Sequence, residues 1–230
     1  MFFPIGDDNV QGGYKPIFSY TLIFLNVVVF LFEFSLPQES GEAFVIQYGS
    51  IPVEILSGED LYTLFTSMFL HGGWMHLIGN MLFLWVFADN IEAVVGTFNF
   101  LIFYVLGGIT ATFIHDVVNP YSEIPVVGAS GAISAVMGAY LIMFPAARIK
   151  VWILFLFTSA YVPALLFLGI WIVQQLITGF GSLGLGVEEQ GGVAWWAHIG
   201  GFAFGMVAGF LARKNYSSKY RYIRDKEDLV

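Results

Sequence analysis

The sequence predicts an all-α, polytopic membrane protein, built as a bundle of six transmembrane helices. Hydrophobic residues make up 57% of the 230 residues and charged residues only 11%, whereas a soluble domain carries about 25% charged residues. Six apolar segments are each close to the roughly 20 residues that cross a bilayer as a helix. With six spans, all basic residues fall on one side of the membrane. An odd number would place the Arg148/Lys150 turn and the basic tail on opposite sides, so the pattern supports an even number of spans.

The six apolar segments leave a short lead-in and a polar tail outside the membrane domain. In chain order they cover residues 17–36, 74–95, 98–113, 126–144, 151–177 and 193–212. Each is expected to be helical, because an open strand in lipid would leave its backbone polar groups unpaired. We therefore predict a lead-in over residues 1–16, one membrane domain over residues 17–212 and a basic tail over residues 213–230.

The distribution of charge predicts the orientation in the membrane. The Lys and Arg residues precede the first segment, lie between the fourth and fifth, or follow the sixth: Lys15, Arg148, Lys150, Arg213, Lys214, Lys219, Arg221, Arg224 and Lys226. The positive-inside rule then places both termini in the cytoplasm, as in a multi-pass protein of a prokaryotic plasma membrane. The net charge of −8 argues against nucleic acid as a partner.

Two polar residues interrupt the apolar segments and suggest chemistry. Ser130 lies in the fourth segment and His198 in the sixth, each flanked by small residues. Polar side chains in hydrocarbon are costly and often functional. Both lie about 14 or 15 residues, roughly 21 Å, before the inner ends of their helices. At this matched depth a nucleophile and a general base can meet.

Small residues recur at helical spacing around both positions. The stripes are Ser130, Ser134 and Gly138 on the fourth segment, and Ala197, Gly201, Gly205 and Gly209 on the sixth. Such stripes allow membrane helices to approach closely. If these two stripes pack together, the Ser130 hydroxyl and the His198 ring come near hydrogen-bond distance. No intramembrane Asp or Glu is placed to orient His198, so the sequence predicts a dyad rather than a triad.

Donors for a developing oxyanion are predicted near Ser130. His76 and Asn80 are four residues apart on the second segment and so share a helix face, and Asn is an uncharged donor suited to this role. The helix of Ser130 is expected to begin after Pro125 and Gly128, which would give the serine free N–H groups and the positive end of the helix dipole.

These motifs resemble those of rhomboid-family intramembrane serine proteases. The serine motif is Gly128-Ala129-Ser130-Gly131, the histidine motif is Ala197-His198-Ile199-Gly200-Gly201 followed by Gly205, and the second-helix motif runs from His71 to Asn80. The resemblance extends over essentially the whole chain and implies a six-helix rhomboid-like bundle. Two positions depart from the family pattern. Ser134 replaces a Tyr that stacks on the histidine in several members, and Tyr62-Thr63 replaces a Trp-Arg pair.

The resemblance implies roles for individual residues. Ser130 would be the nucleophile and His198 the base, and Asn80, His76 and the Ser130 amide next to Gly128 would form the oxyanion hole. A glycine-rich loop within residues 178–192 would cap the site, and the fifth helix would act as a lateral gate. No cofactor or metal is implied. The supporting residues would be His71, Gly131, Ser134, Gly201 and Gly205.

The sequence leaves simpler readings open. Taken alone, Ser130 is typical of a packing residue, and His198 or Asn80 of an interhelical hydrogen bonder; their joint occurrence favours catalysis. The sequence favours a serine endopeptidase that cleaves transmembrane segments of other proteins in the lipid bilayer. The alternative is a catalytically silent rhomboid-like binder of membrane proteins. A transporter is disfavoured because no internal repeat is visible, and a metalloprotease because no HExxH run occurs.

Two further sites carry structural expectations. We interpret His115-Asp116 as a solvated pair at an outer helix end, since the third segment is predicted to end at residue 113. Glu92, at the inner end of the second segment, is interpreted as a helix cap or an interhelical contact.

Overall fold

The computed structural model describes residues 2–8, 10, 13–154, 157–183 and 193–216. The part of the glycine-rich loop at residues 184–192 and the tail at residues 217–230 lie outside this range. The capping role predicted for that loop therefore falls largely on residues outside the described ones.

The described chain is mostly helical. Five of its helices are long and apolar enough to cross a membrane, and the helix Ser130–Met143 is apolar but shorter. The bounds are α1 Ile17–Ser35, α2 Gln38–Tyr48, α3 Pro52–Ser57, α4 Thr63–Thr66, a 3₁₀ turn Ser67–Phe69, α5 Trp74–Val95, α6 Thr97–Val118, α7 Ser130–Met143, α8 Ala164–Gly181 and α9 Trp195–Tyr216. The predicted helical bundle is confirmed in class and in the order of its segments.

The fifth segment, predicted as one helix over residues 151–177, is wrong in its first half. Strands β2 (Arg148–Ile153) and β3 (Thr158–Pro163) form a hairpin, and helix α8 begins only at Ala164. Within β2, Ile149 and Val151 are buried while their neighbours are more exposed, which is the alternation of a strand. An apolar run rich in β-branched and aromatic residues does not by itself distinguish strand from helix.

The lead-in contributes the third strand of this sheet. Strand β1 (Phe2–Asp7) pairs with β2 in antiparallel register, and the sheet order is β1-β2-β3. Asp7 Oδ2 accepts hydrogen bonds from Asn90 Nδ2 at 2.7 Å and from the Tyr140 hydroxyl at 2.5 Å. The lead-in is thus attached to the ends of α5 and α7 that lie farthest from Ser130.

Helix α7 forms the centre of the bundle. All its residues from 131 to 140 are buried, and it packs chiefly against α9, with α6 and α5 on its other sides. A Cβ atom built at Gly201 would meet the Gly131 carbonyl oxygen, and one at Gly205 would meet the Ala135 carbonyl oxygen. The backbones of α7 and α9 therefore touch, and the predicted stripe on α9 makes this contact. On α7 its partners are Gly131, Ala135 and Ala139, one residue after the predicted stripe, of which Gly138 also meets α9.

Glu92 joins two helices through its carboxylate. It is fully buried on α5, and its two oxygens accept the backbone N–H of Phe18 at 3.0 Å and of Ser19 at 2.7 Å, together with the Ser19 hydroxyl at 2.6 Å. These N–H groups belong to the first turn of α1 and have no acceptor within that helix. The interpretation of Glu92 as a cap and an interhelical contact is confirmed.

Candidate active site

The structure brings Ser130 and His198 together. Ser130 is the first residue of α7, and His198 lies in the first turn of α9. The His198 Nε2 atom is 2.9 Å from the Ser130 hydroxyl oxygen. Both side chains are half-buried. The short distance follows from the backbone contact of α7 with α9, because that contact leaves no room for a third side chain between the two.

The second nitrogen of the His198 ring also has a partner, which the sequence analysis missed. His198 Nδ1 lies 2.8 Å from Gln175 Oε1, a residue of α8. Trp171, one turn earlier on α8, lies against the same imidazole, with ring centroids 5.8 Å apart and planes inclined by 39°. A signal was available, because Gln174 and Gln175 interrupt an otherwise apolar helix and polar groups at such positions usually have a specific partner.

Ser134, at the position of the family's stacking tyrosine, makes a hydrogen bond within its own helix and does not stack on His198. Its hydroxyl donates to the Ser130 carbonyl oxygen at 2.6 Å. The residue is fully buried. The aromatic neighbours of the His198 ring come from Trp171 on α8 and Trp195 on α9.

The predicted oxyanion donors surround the backbone that precedes Ser130. Gly128 has a φ of +124°, and a Cβ built on it would lie 2.7 Å from His76 Nε2 and 3.6 Å from Asn80 Nδ2. The Gly128 N–H itself donates to the Ser67 carbonyl at 2.9 Å. Asn80 Nδ2 is buried and has no hydrogen-bond partner among the described residues. The Asn80 amide is therefore free to donate a hydrogen bond beside Gly128, in the segment that precedes Ser130.

His71 supports the ring of His76. It lies just before α5, is 1% exposed, and its ring centroid is 5.1 Å from that of His76. Desolvation by burial, and then the neighbouring His76, lower the pKa of His71 from 6.5 to about 4. The His71 imidazole is therefore neutral at pH 7.

A cavity opens onto the serine and the histidine. Its volume is about 240 Å³, which is enough to hold several waters. The wall combines polar and apolar side chains, including His76, His115, Val127, Ser130, Ala194 and His198. Such a cavity can supply the water that hydrolysis consumes.

The expectation for His115 and Asp116 was wrong. Both residues are buried, at 3% and 0% exposure, and His115 faces the cavity. Helix α6 runs to Val118, so the pair lies inside the helix rather than beyond its end at residue 113. Asp116 accepts a hydrogen bond from the Ser50 hydroxyl at 3.1 Å and thereby attaches the segment before α3 to α6.

No group of three or more His, Cys, Asp or Glu side chains among the described residues is arranged to hold a metal ion. His71 and His76 are neighbours, but no third ligand of this kind joins them within the described part of the chain.

Comparison with known proteins identifies the family. A rhomboid-domain family model matches residues 58–215. Rhomboid protease GluP of Bacillus subtilis is 31% identical over 171 residues, which are 74% of this chain and 33% of GluP. Putative rhomboid protease YdcA of the same organism is 34% identical over 128 residues, 56% of this chain and 62% of YdcA.

A eukaryotic relative shows the same similarity. Rhomboid protein 1, mitochondrial, of Saccharomyces cerevisiae is 29% identical over 152 residues, 64% of this chain and 41% of that protein. In all three cases the chain spans less than two thirds of the relative's length. Because the family model covers more than half of the chain and the apolar helices are those of a multi-pass membrane protein, the chain belongs to the rhomboid family.

Proposed function

We propose that this chain is an intramembrane serine endopeptidase that cuts transmembrane segments of other membrane proteins. The observation that carries the proposal is the 2.9 Å contact between the Ser130 hydroxyl and His198 Nε2 inside the helical bundle. A nucleophile within hydrogen-bond reach of a base is the arrangement that activates a serine. The protease names of the bacterial relatives agree with this assignment.

The proposed reaction has two halves. His198 Nε2 takes the hydroxyl proton as the Ser130 oxygen attacks the substrate carbonyl carbon, and the tetrahedral intermediate carries its charge on the former carbonyl oxygen. As the C–N bond breaks, His198 returns the proton to the leaving amine. A water from the cavity then attacks the acyl-enzyme with the same base, which releases the new carboxyl terminus and restores Ser130.

Three donors are available to the oxyanion. The Ser130 N–H lies at the start of α7, where helical N–H groups have no acceptor in their own helix, and the helix dipole favours negative charge there. The uncommitted Asn80 Nδ2 and the His76 ring lie beside Gly128. Donors fixed in advance near the developing charge are usually the largest contribution to this kind of catalysis.

A groove between α5 and α8 supports lateral entry of the substrate. It has a volume of about 380 Å³. Its lining is largely apolar and includes Phe83, Val162, Leu166, Phe167, Ile170 and Trp171. Trp171, on its wall, also touches the His198 ring, so the groove and the site lie on either side of this side chain. An α-helix shields its own amides, and we therefore expect preference for substrates with helix-breaking residues and a small residue before the cut.

The proposed orientation follows from charge. Ser130 and His198 lie at the ends of α7 and α9 remote from the basic residues Lys15 and Arg148. With both termini in the cytoplasm of a prokaryotic cell, cleavage takes place near the outer end of the substrate helix.

The experiment is cleavage of a labelled transmembrane reporter by purified protein in detergent, beside Ser130→Ala, His198→Ala and the control Ser35→Ala, which removes an exposed serine. Cleavage by the wild type and by Ser35→Ala alone supports the proposal. Cleavage by all four reveals a contaminating protease.

A silent membrane-protein binder is the second candidate, because relatives of this kind can lack activity. A serine-directed fluorophosphonate probe separates the two. Labelling that is lost in Ser130→Ala and in His198→Ala indicates an activated serine even where the reporter is a poor substrate. A correctly folded wild type that neither cuts nor reacts would refute the protease.

A further inference from the structure

The proposed dyad needs one particular tautomer of His198. A neutral imidazole carries its single proton on either Nδ1 or Nε2. Only the Nδ1–H form leaves a lone pair on Nε2 to accept the Ser130 proton. The partner of Nδ1 therefore decides whether the ring can act as a base. This inference rests on the proposed function and concerns the same site.

We propose that Gln175 is the positioning residue that holds His198 in the productive tautomer and orientation. Its Oε1 atom accepts from Nδ1–H at 2.8 Å, while His198 Nε2 faces the Ser130 hydroxyl at 2.9 Å. The three groups thus form a chain in which each member fixes the next. Gln175 supplies the orienting contact that an Asp supplies in a catalytic triad.

The surroundings make this hydrogen bond strong and specific. Gln175 is only 4% exposed, so solvent offers little competition for Nδ1, and a buried amide left unpaired would cost about 1–3 kcal/mol. The planar face of the ring is restrained by Trp171, whose centroid lies 5.8 Å away on the same helix. Helix α8 therefore supplies both the acceptor and the aromatic contact, while Ser134 on α7 bonds to the Ser130 carbonyl.

A neutral acceptor suits a site within the membrane. A carboxylate in this position would have to be desolvated, and burial of an ion costs several kcal/mol unless it is fully paired. An amide oxygen fixes the tautomer without that cost. The amide turned by 180° would donate to Nδ1 and force the proton onto Nε2, which would leave the base unproductive. The two orientations of the amide therefore predict opposite tautomers, Nδ1–H for the one proposed and Nε2–H for the flipped one.

The tautomer can be measured directly by NMR of protein labelled with ¹⁵N at histidine. The chain has four histidines, and the spectrum of His198→Ala identifies the His198 signals. We expect the wild type to show Nδ1 protonated and Nε2 free. Gln175→Leu, which keeps the size of the side chain but removes the acceptor, is expected to show a mixture or the Nε2–H form. This measurement needs no turnover, so it stands apart from the test of protease activity.

Kinetics provide the second readout. Hydrogen-bond partners that orient metal-bound histidines cost 10- to 100-fold when removed. By analogy, we expect kcat for reporter cleavage to fall by about that factor in Gln175→Leu, with KM changed less than about twofold. Gln175→Glu retains an oxygen at the same reach, so it is expected to restore the Nδ1–H tautomer and part of the lost kcat, with a loss of stability from burial of a carboxylate. Gln47→Leu, the same change at an exposed glutamine of α2, serves as the control and is expected to match the wild type.

Each outcome bears on the proposal. A wild-type His198 with the proton on Nε2 overturns it, even if Gln175→Leu fails to fold. A Gln175→Leu variant that keeps both the wild-type tautomer and the wild-type kcat also overturns it. A shifted tautomer with reduced kcat and rescue by Gln175→Glu supports it. If the wild type shows the Nδ1–H form but has no protease activity, the positioning contact stands and the proposed function fails.

Discussion

Substitution of Gly128 by alanine tests how the loop before Ser130 sets the oxyanion donors. The Gly128 φ of +124° lies in a region that L side chains rarely adopt, and forcing alanine there costs about 1–3 kcal/mol. The new methyl group would also lie 2.7 Å from His76 Nε2. Ordinary contact requires roughly 3.5 Å, so the His76 ring has to retreat by about 0.8 Å.

That displacement sets the expected size of the effect. A donor at about 2.9 Å moved back by ~0.8 Å is beyond hydrogen-bond range. Loss of one oxyanion donor costs about 10²- to 10³-fold in kcat, so Gly128→Ala is expected to lower kcat/KM about 100-fold, equivalent to roughly 2.7 kcal/mol. The assay is reporter cleavage in detergent, with thermal unfolding of the same samples to follow stability.

Two companion variants separate strain from displacement. Gly58 has a φ of +86° in open space, so Gly58→Ala carries backbone strain alone and is expected to lose stability but not turnover. In a His76→Ala background the methyl group at residue 128 no longer meets a ring, and the kinetic cost of Gly128→Ala is expected to shrink. The reasoning is refuted if Gly128→Ala keeps kcat/KM within threefold of wild type, or if its cost is unchanged without His76.

Two further predictions concern the end of the bundle remote from the site. Glu92→Leu leaves the Phe18 and Ser19 N–H groups and the Ser19 hydroxyl without their acceptor; at about 1–2 kcal/mol each, we expect about 3–6 kcal/mol of destabilisation. Thermal unfolding in detergent checks this, with Glu92→Gln as the milder control, and a wild-type midpoint for Glu92→Leu would contradict it. Desolvation raises the pKa of Asp7 well above 3.8, so the folded state binds the proton more tightly and loses stability as pH rises from 3.8 through the folded-state pKa. Asp7→Asn keeps an oxygen for the Tyr140 hydroxyl but cannot ionise. We therefore expect the unfolding midpoint of the variant, relative to that of the wild type, to rise between pH 4 and pH 7. A difference in midpoint that is independent of pH would count against this reasoning.

The helix bounds were predicted well where the ends of an apolar segment coincide with helix-breaking or polar residues. The segments at residues 17–36 and 74–95 match α1 and α5 closely. The fourth helix is shorter than predicted, because the chain turns at Gly128 with a positive φ and begins α7 at Ser130. The expected helix start after Gly128 was therefore a better guide than the apolar stretch at residues 126–144.

The errors share a physical origin. Hydrophobicity reports burial and not backbone hydrogen bonding, so the hairpin of β2 and β3 could not be separated from the helix that follows it. Helix α6 runs five residues past its predicted end at residue 113, and these five residues decide whether His115 and Asp116 are solvated or buried. Element ends depend on tertiary packing, which a single sequence does not display.

The pairing of Ser130 with His198 could be anticipated because matched depth and small-residue stripes are visible in the sequence. The contact with Gln175 could not be anticipated in the same way. It depends on the rotation of α8, which turns Gln175 inward together with Ala164, Leu168 and Gly179. A glutamine in an apolar helix indicates that a partner exists, but its spacing does not identify that partner.

The backbone contact between α7 and α9 acts as a fixed spacer for the reacting atoms. Where two helices touch through Gly201 and Gly205, their separation is set by main-chain atoms and does not change when side chains exchange rotamers. The separation of the two backbones at Ser130 and His198 is therefore fixed, whereas the orientation of the imidazole is left to its own contacts. Gln175 and Trp171 lie on α8, whose outward-facing residues, such as Ile170 and Ile177, are exposed. A sideways movement of α8 would thus turn the imidazole and lengthen its contact with Ser130, while the backbones of α7 and α9 kept their separation.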